Sequence, residues 1–321
     1  DLTKRADYGQ VDIPRLIEGN VAVQVFTAVT KSPAGQNYEQ NSADATDNIT
    51  LLAMGQLWPT RTWDSRFERA LYQAEKLRGF EAEADGALKI IRTKADLAEV
   101  LDRRAGGEKL VGGVLGIEGM HALDGDLGNI GPLFDAGYRI FGLTHFFDNA
   151  VAGSLHGESN SGLTDLGRAV VAEAIARDVL IDLAHSSPRT AWEVLDLDAR
   201  PLVVSHGGTH NHCAVKRNFP DDLMQAIAAK GGVVGIGYWK DAVCGTAPVE
   251  IVAAIAAAVD LLGEDHVSLG SDYDGSVETH FDSSELASPT HEMLALGWSE
   301  DRIAKLMGGN MMRVLSQTLP D

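Results

Sequence analysis

Along most of the chain, short runs of apolar, β-branched residues alternate with longer stretches in which apolar side chains recur every three or four positions. Residues 21–29 (VAVQVFTAV) form the first such run, and 111–117, 139–143, 179–183, 201–205, 233–237 and 267–270 follow it. Several are apolar at every position, as befits parallel strands covered on the outside by helices. The intervening stretches 127–136, 165–177, 189–196, 221–230 and 249–262 have helical spacing. Regular alternation of this kind predicts an α/β fold with a parallel sheet. Residues 88–92 offer a short eighth run that looks peripheral. Seven firm strands suit an open doubly wound sheet, or a (β/α)8 TIM-type barrel lacking its first strand. Two regions leave the repeat. Residues 43–79 carry a long helical pattern with Trp58, Trp63 and Tyr72 on amphipathic positions, a helical insertion after the first visible strand; residues 283–317 predict two or three closing helices. A single domain spanning 1–321 is expected, since a barrel takes about 250 residues.

The polar residues at the strand ends carry more than the strand count. Glu118 follows VGGVLGI, His145 follows RIFGLT, His185 follows LIDLA, His206 follows PLVVS and Asp272 follows HVSLGS. In a parallel barrel those ends converge on one mouth, where catalytic groups gather. One histidine after a strand is commonly a packing residue; five titratable groups on five strands point to a site. A buried carboxylate needs partners, and a divalent cation satisfies one carboxylate and two imidazoles together. Glu118, His185 and His206 are therefore the expected metal ligands. His210 and His212, in the loop after His206, are candidates for a supporting or substrate contact and otherwise solvated; His266 starts its strand and belongs to the opposite face.

Composition narrows the classes. With 27 basic and 46 acidic residues the net charge is −19, a field that repels phosphate backbones. The most apolar run, 251–262, is too short for a membrane span and carries Asp260. Two cysteines, Cys213 and Cys244, are compatible with buried thiols or a disulfide.

Seven segments resemble the membrane (renal) dipeptidases of the amidohydrolase superfamily: VDIPRL (11–16), GIEG (116–119), GLTH (142–145), IDLAHSS (181–187), SHGGTHNHCAVKRNFPDDL (205–223), LGSDYDG (269–275) and GNMMRV (309–314). The resemblance implies a zinc-dependent dipeptidase. Glu118 matches the carboxylate bridging two zinc ions, and His185 and His206 match the imidazoles holding the second. Arg217 matches the arginine that binds the substrate's terminal carboxylate, and His145 the histidine that polarises the scissile carbonyl. Asp272 matches the aspartate that takes a proton from the attacking water and contacts the substrate's amino end, with Asp274 the competing choice. Tyr238, ending VVGIGY, is expected to line the pocket. The resemblance also favours a Cys213–Cys244 disulfide, hence a periplasmic or secreted location, a homodimer, and tolerance of a C-terminal D-residue. Lactam or N-acyl amino acid hydrolysis is the alternative reaction, and a non-catalytic metal or peptide binder the alternative class. Manganese or cobalt would suit the same ligands.

One family feature is missing. A His-x-Asp pair ends the family's first strand and holds the first zinc, yet no such pair occurs in residues 1–24. The expectation is an upstream strand carrying it and two zinc ions with it; without it, a one-metal variant or an inactive barrel.

Overall fold

The computed structural model describes residues 1–321 apart from Asp198 and Arg200. Eight parallel strands form one sheet: β1 (Val23–Val29), β2 (Leu88–Ile90), β3 (Val111–Glu118), β4 (Tyr138–Gly142), β5 (Leu180–Asp182), β6 (Leu202–Gly207), β7 (Val233–Ile236) and β8 (Val267–Leu269). They neighbour one another in the order β1-β3-β4-β5-β6-β7-β8, with β2 also paired to β3. The sheet curls into a half-barrel, the expected TIM-type α/β architecture; among the described residues β1 and β8 do not pair. The N-terminal segment instead meets the loop after β8, where Asp274 accepts from the backbone N–H groups of Gln10 (2.7 Å) and Val11 (3.1 Å).

The run at 88–92 is less peripheral than its length suggests. β3 is eight residues long, so one of its edges holds two short neighbours: residues 111–113 pair with β2, and 115–118 pair with β4. Every residue of β3 is buried, which explains why its sequence does not alternate.

The helices are α1 (Ile13–Glu18), α2 (Asn48–Gly55), α3 (Arg61–Asp64), α4 (Arg66–Glu83), α5 (Lys94–Ala105), α6 (Ile130–Asp135), α7 (Asp165–Ala176), α8 (Pro188–Asp196), α9 (Asp221–Ala229), α10 (Lys240–Val243), α11 (Pro248–Leu262), α12 (Ala287–Ala295), α13 (Glu300–Ala304) and α14 (Asn310–Thr318). The helical insertion expected over 43–79 is formed, as three helices. Leu57 adopts a left-handed conformation just past Gly55, Pro59 follows, and the Ser65 hydroxyl caps α4 by accepting from Glu68 N. Trp58 and Tyr72 still meet, with ring centroids 5.0 Å apart. The closing region makes three helices, α13 and α14 being joined by a π-turn at Lys305–Gly309.

Lys240–Leu262 has the length and mean hydropathy (1.9) of a membrane span, and half of its apolar window is buried inside the fold. Ile251, Ala254, Ile255 and Ala258 of α11 lie in the core, against β7, β8 and α9. Most apolar side chains pack between sheet and helices. A second cluster joins Val114, Ile140, Leu180, Val203 and Val233, one from each of five strands, to Val314, Leu315 and Leu319 at the C-terminus. Two residues further along each strand the same face presents Gly116, Gly142, Asp182, Ser205 and Gly235, because strand side chains alternate. Small and polar residues thus replace bulk one layer above the apolar floor, and Glu118 stands one layer higher still.

Candidate active site

Glu118 is the last residue of β3, and the side chains brought to it come from the ends of β4, β5 and β6. Its Oε1 lies 3.0 Å from His185 Nε2, 3.2 Å from His206 Nε2 and 3.8 Å from His145 Nε2. The two facing nitrogens of His185 and His206 are 2.9 Å apart. All four side chains are buried. Ligand atoms of Glu118, His145 and His185 lie within 4.8 Å of one another, the arrangement of a metal site.

The donor set fits a divalent cation. Ligand bonds of about 2.0–2.1 Å in a tetrahedron place neighbouring ligand atoms about 3.3 Å apart, close to the 2.9–3.2 Å found among Glu118, His185 and His206. One carboxylate and two imidazoles are also the chemistry such an ion selects. His185 is held at φ 63°, a left-handed conformation that a β-strand end adopts only when the surroundings enforce it.

Burial sets the protonation of the cluster. It raises the Glu118 carboxyl, but the adjacent imidazoles of His145, His185 and His206 outweigh it and hold Glu118 well below the usual carboxylate range. Burial drives the imidazoles of His185 and His145 down, Arg217 adding to the first. His206 goes the other way: burial lowers it, while Asp272 and Glu118 raise it further than that. The Asp272 carboxyl is pushed up to about 6 by burial, with His206 opposing.

Arg217 is buried rather than a surface residue (3% exposed). Its Nη2 donates to the His206 carbonyl (2.7 Å), its guanidinium stands 5.9 Å from the Trp239 ring centre, and its Nε is buried without a partner among the described residues. Donors therefore remain for an incoming carboxylate beside the histidines. The loop bearing it is fastened by the Cys213–Cys244 disulfide, with Cα atoms 5.6 Å apart, so the pairing favoured from the sequence is formed.

The two aspartates after β8 separate clearly. Asp274 is occupied by the backbone of Gln10 and Val11, whereas Asp272 acts electrostatically on His206, Glu118 and Arg217. Tyr238, expected to line the pocket, follows β7. It is fully buried in a cluster with Tyr273 (5.5 Å) and Phe281 (5.2 Å), and the ring that meets His206 from this loop is its neighbour Trp239 (6.0 Å). His210 is exposed and His212 half-buried, and His266 contacts the Gly232 carbonyl (2.8 Å) at the other end of the sheet.

Several neighbours of the site escaped the sequence reading. Tyr38, from the loop after β1, packs on Phe146 (5.4 Å), and its carbonyl meets His156 Nδ1 (2.8 Å). His156 stacks on Phe146 and lies 5.4 Å from His185. Burial pushes its imidazole down to about 3. His121 is buried against Phe147 (4.8 Å). None of these sits at a strand end, so no pattern along the chain marks them.

Known proteins resemble this chain in sequence and fold. The family described as membrane dipeptidase (peptidase family M19) matches residues 1–319. A curated relative from Aspergillus oryzae, "Dipeptidase aclJ", is 28% identical over 96% of this chain and 70% of its own length. Among solved structures, "dipeptidase AC", a metallopeptidase of family M19, superposes with TM-score 0.80 at 26% identity, covering 98% of this chain and 91% of that one. A metallopeptidase from Rhodobacter sphaeroides, liganded with a phosphinate mimic of the dipeptide L-Ala-D-Ala, shares the fold with TM-score 0.77 at 24% identity over 98% and 91% of the two chains. A half-barrel whose strand ends gather one carboxylate and three imidazoles, matched along nearly its whole length by these enzymes, belongs to the membrane dipeptidase family.

Proposed function

We propose that this protein hydrolyses the peptide bond of dipeptides with zinc held by Glu118, His185 and His206. The observation that carries the reading is the meeting of those three side chains at 2.9–3.2 Å beside a buried arginine with an unpartnered Nε. When bound, the cation supplies Lewis acidity, which lowers the pKa of water from about 15.7 toward about 7. Arg217 receives the substrate's terminal carboxylate through its fork of N–H donors, restricting substrates to those with a carboxylate near the scissile bond. His145, kept neutral by burial, offers a ring N–H to the scissile carbonyl oxygen as that oxygen gains charge. Asp272, near 6, accepts the proton of the attacking water and delivers it to the leaving amine, so that water is divided between the new acid and the new amine. The Cys213–Cys244 bond supports an oxidising, extracytoplasmic location.

The test is hydrolysis of a panel of L,L- and L,D-dipeptides by the zinc-loaded protein, with N-acetylated and C-amidated dipeptides as controls. Asp272→Asn should lower kcat by about two orders of magnitude or more with zinc content unchanged. Parent-like turnover in that variant, or equal cleavage of the amidated dipeptides, refutes the assignment.

A further inference from the structure

One layer beneath the histidines, a buried polar chain reaches His206 from behind. Ser205 Oγ donates to Asp182 Oδ2, and the same oxygen lies 2.8 Å from His206 Nδ1. Asp182 is 4% exposed. Its other oxygen accepts from the backbone N–H groups of Ala184 (3.0 Å) and Ser205 (2.9 Å), so three donors surround the carboxylate and it is held as an acceptor. A serine hydroxyl has a single proton. With that proton given to Asp182, Ser205 Oγ meets His206 with lone pairs only, and the hydrogen shared between them must sit on Nδ1. Nε2 then carries the lone pair and faces Glu118 and His185.

We infer that Asp182 and Ser205 are positioning residues that lock His206 in the Nδ1–H tautomer, presenting Nε2 as a ready ligand for a divalent cation. The inference rests on His206 being a metal ligand. His185 has no such support among the described residues: its Nδ1 is buried without a partner there. Strand geometry explains why the pair can act together. Asp182 and Ser205 both stand on the inner face of adjacent strands, and β5 and β6 are paired with Asp182 opposite Val203. A carboxylate at that depth is satisfied by donors from its own strand ends rather than by a salt bridge.

The experiment uses the full chain labelled with 15N at histidine, metal-free and titrated to alkaline pH, with two-bond 1H–15N correlations reporting the tautomer of His206. In parallel, zinc affinity is measured by competition with a chromogenic chelator. The parent should show Nδ1–H at His206. Ser205→Ala should mix the tautomers and weaken zinc binding about 10- to 100-fold, the usual effect of removing the partner of a ligating imidazole; Ser205→Thr, which keeps the hydroxyl, should restore both. In Asp182→Asn the side-chain amide can donate to Ser205, turning its hydroxyl toward His206 and moving the proton to Nε2. If Ser205→Ala does not fold, the parent spectrum still decides. A parent that binds zinc with its His206 proton on Nε2, or a folded Ser205→Ala that binds zinc as tightly as the parent, overturns the relay. A parent that binds no zinc overturns the proposed function instead.

Discussion

Removing the Cys213–Cys244 cross-link tests the stability and the site together. The bond spans 31 residues, and closing a loop of that length lowers the entropy of the unfolded chain by about 2.1 + 1.5R ln 31, or about 12 cal/mol/K, equivalent to about 3.7 kcal/mol at 25 °C. Unfolding a chain of 321 residues carries an entropy of about 2.1 cal/mol/K per residue, so the double variant Cys213→Ala/Cys244→Ala should melt about 5–6 °C below the parent. Scanning calorimetry measures this, and reduction of the parent should reproduce it. The bond also anchors the loop that carries Arg217, while His145 and Glu118 sit on other strands. Dipeptide KM should therefore rise more than kcat falls. A melting temperature within about 1 °C of the parent, or a loss confined to kcat, would show that neither the loop-closure account nor the anchoring role is right.

Three other outcomes follow from the same structure. Glu118→Gln removes the charge shared by three imidazoles; losing one partner of a buried charged cluster costs about 3–5 kcal/mol, so zinc affinity measured by chelator competition should fall by two to four orders of magnitude. Arg217→Met should raise dipeptide KM about ten- to a hundredfold, the worth of a charge-assisted hydrogen bond of about 1.5–3 kcal/mol, while slow cleavage of an amidated dipeptide stays unchanged; a parallel loss on both substrates would speak against carboxylate recognition. Asp282 is raised by burial, but Ser284 and Arg15, whose Nε is 2.8 Å away, hold its carboxyl below the ordinary range. Its stabilisation is thus complete above the unfolded carboxylate value near about 3.9 and is lost as pH falls through the lower folded value. Urea midpoints of Asp282→Asn and the parent should differ at neutral pH and converge toward pH ~2; a difference that persists in acid would refute the ion pair's role.

The strands, the helices around them and the side chains that meet at the strand ends were legible along the chain. Runs apolar at every position, such as 111–117, can be satisfied only by burial on both faces, and a glutamate or histidine that ends such a run marks the mouth where strand ends meet. Glu118, His145, His185, His206 and Asp272 were found by that logic alone. It did not reach Asp182 and Ser205, which lie inside apolar runs and look like ordinary strand residues, nor Tyr38, His121 and His156, which come from loops. It also read 43–79 as one long helical stretch, without the breaks after Gly55 and at Ser65 that divide it into three helices. Periodicity is a property of neighbours along the backbone, and it specifies which face a side chain takes. Which side chains from distant strands share a proton or a cation depends on register, bulges and loop closure. The register shift between Val204 and Gly207, beside His206, exists only once β6 and β7 have paired.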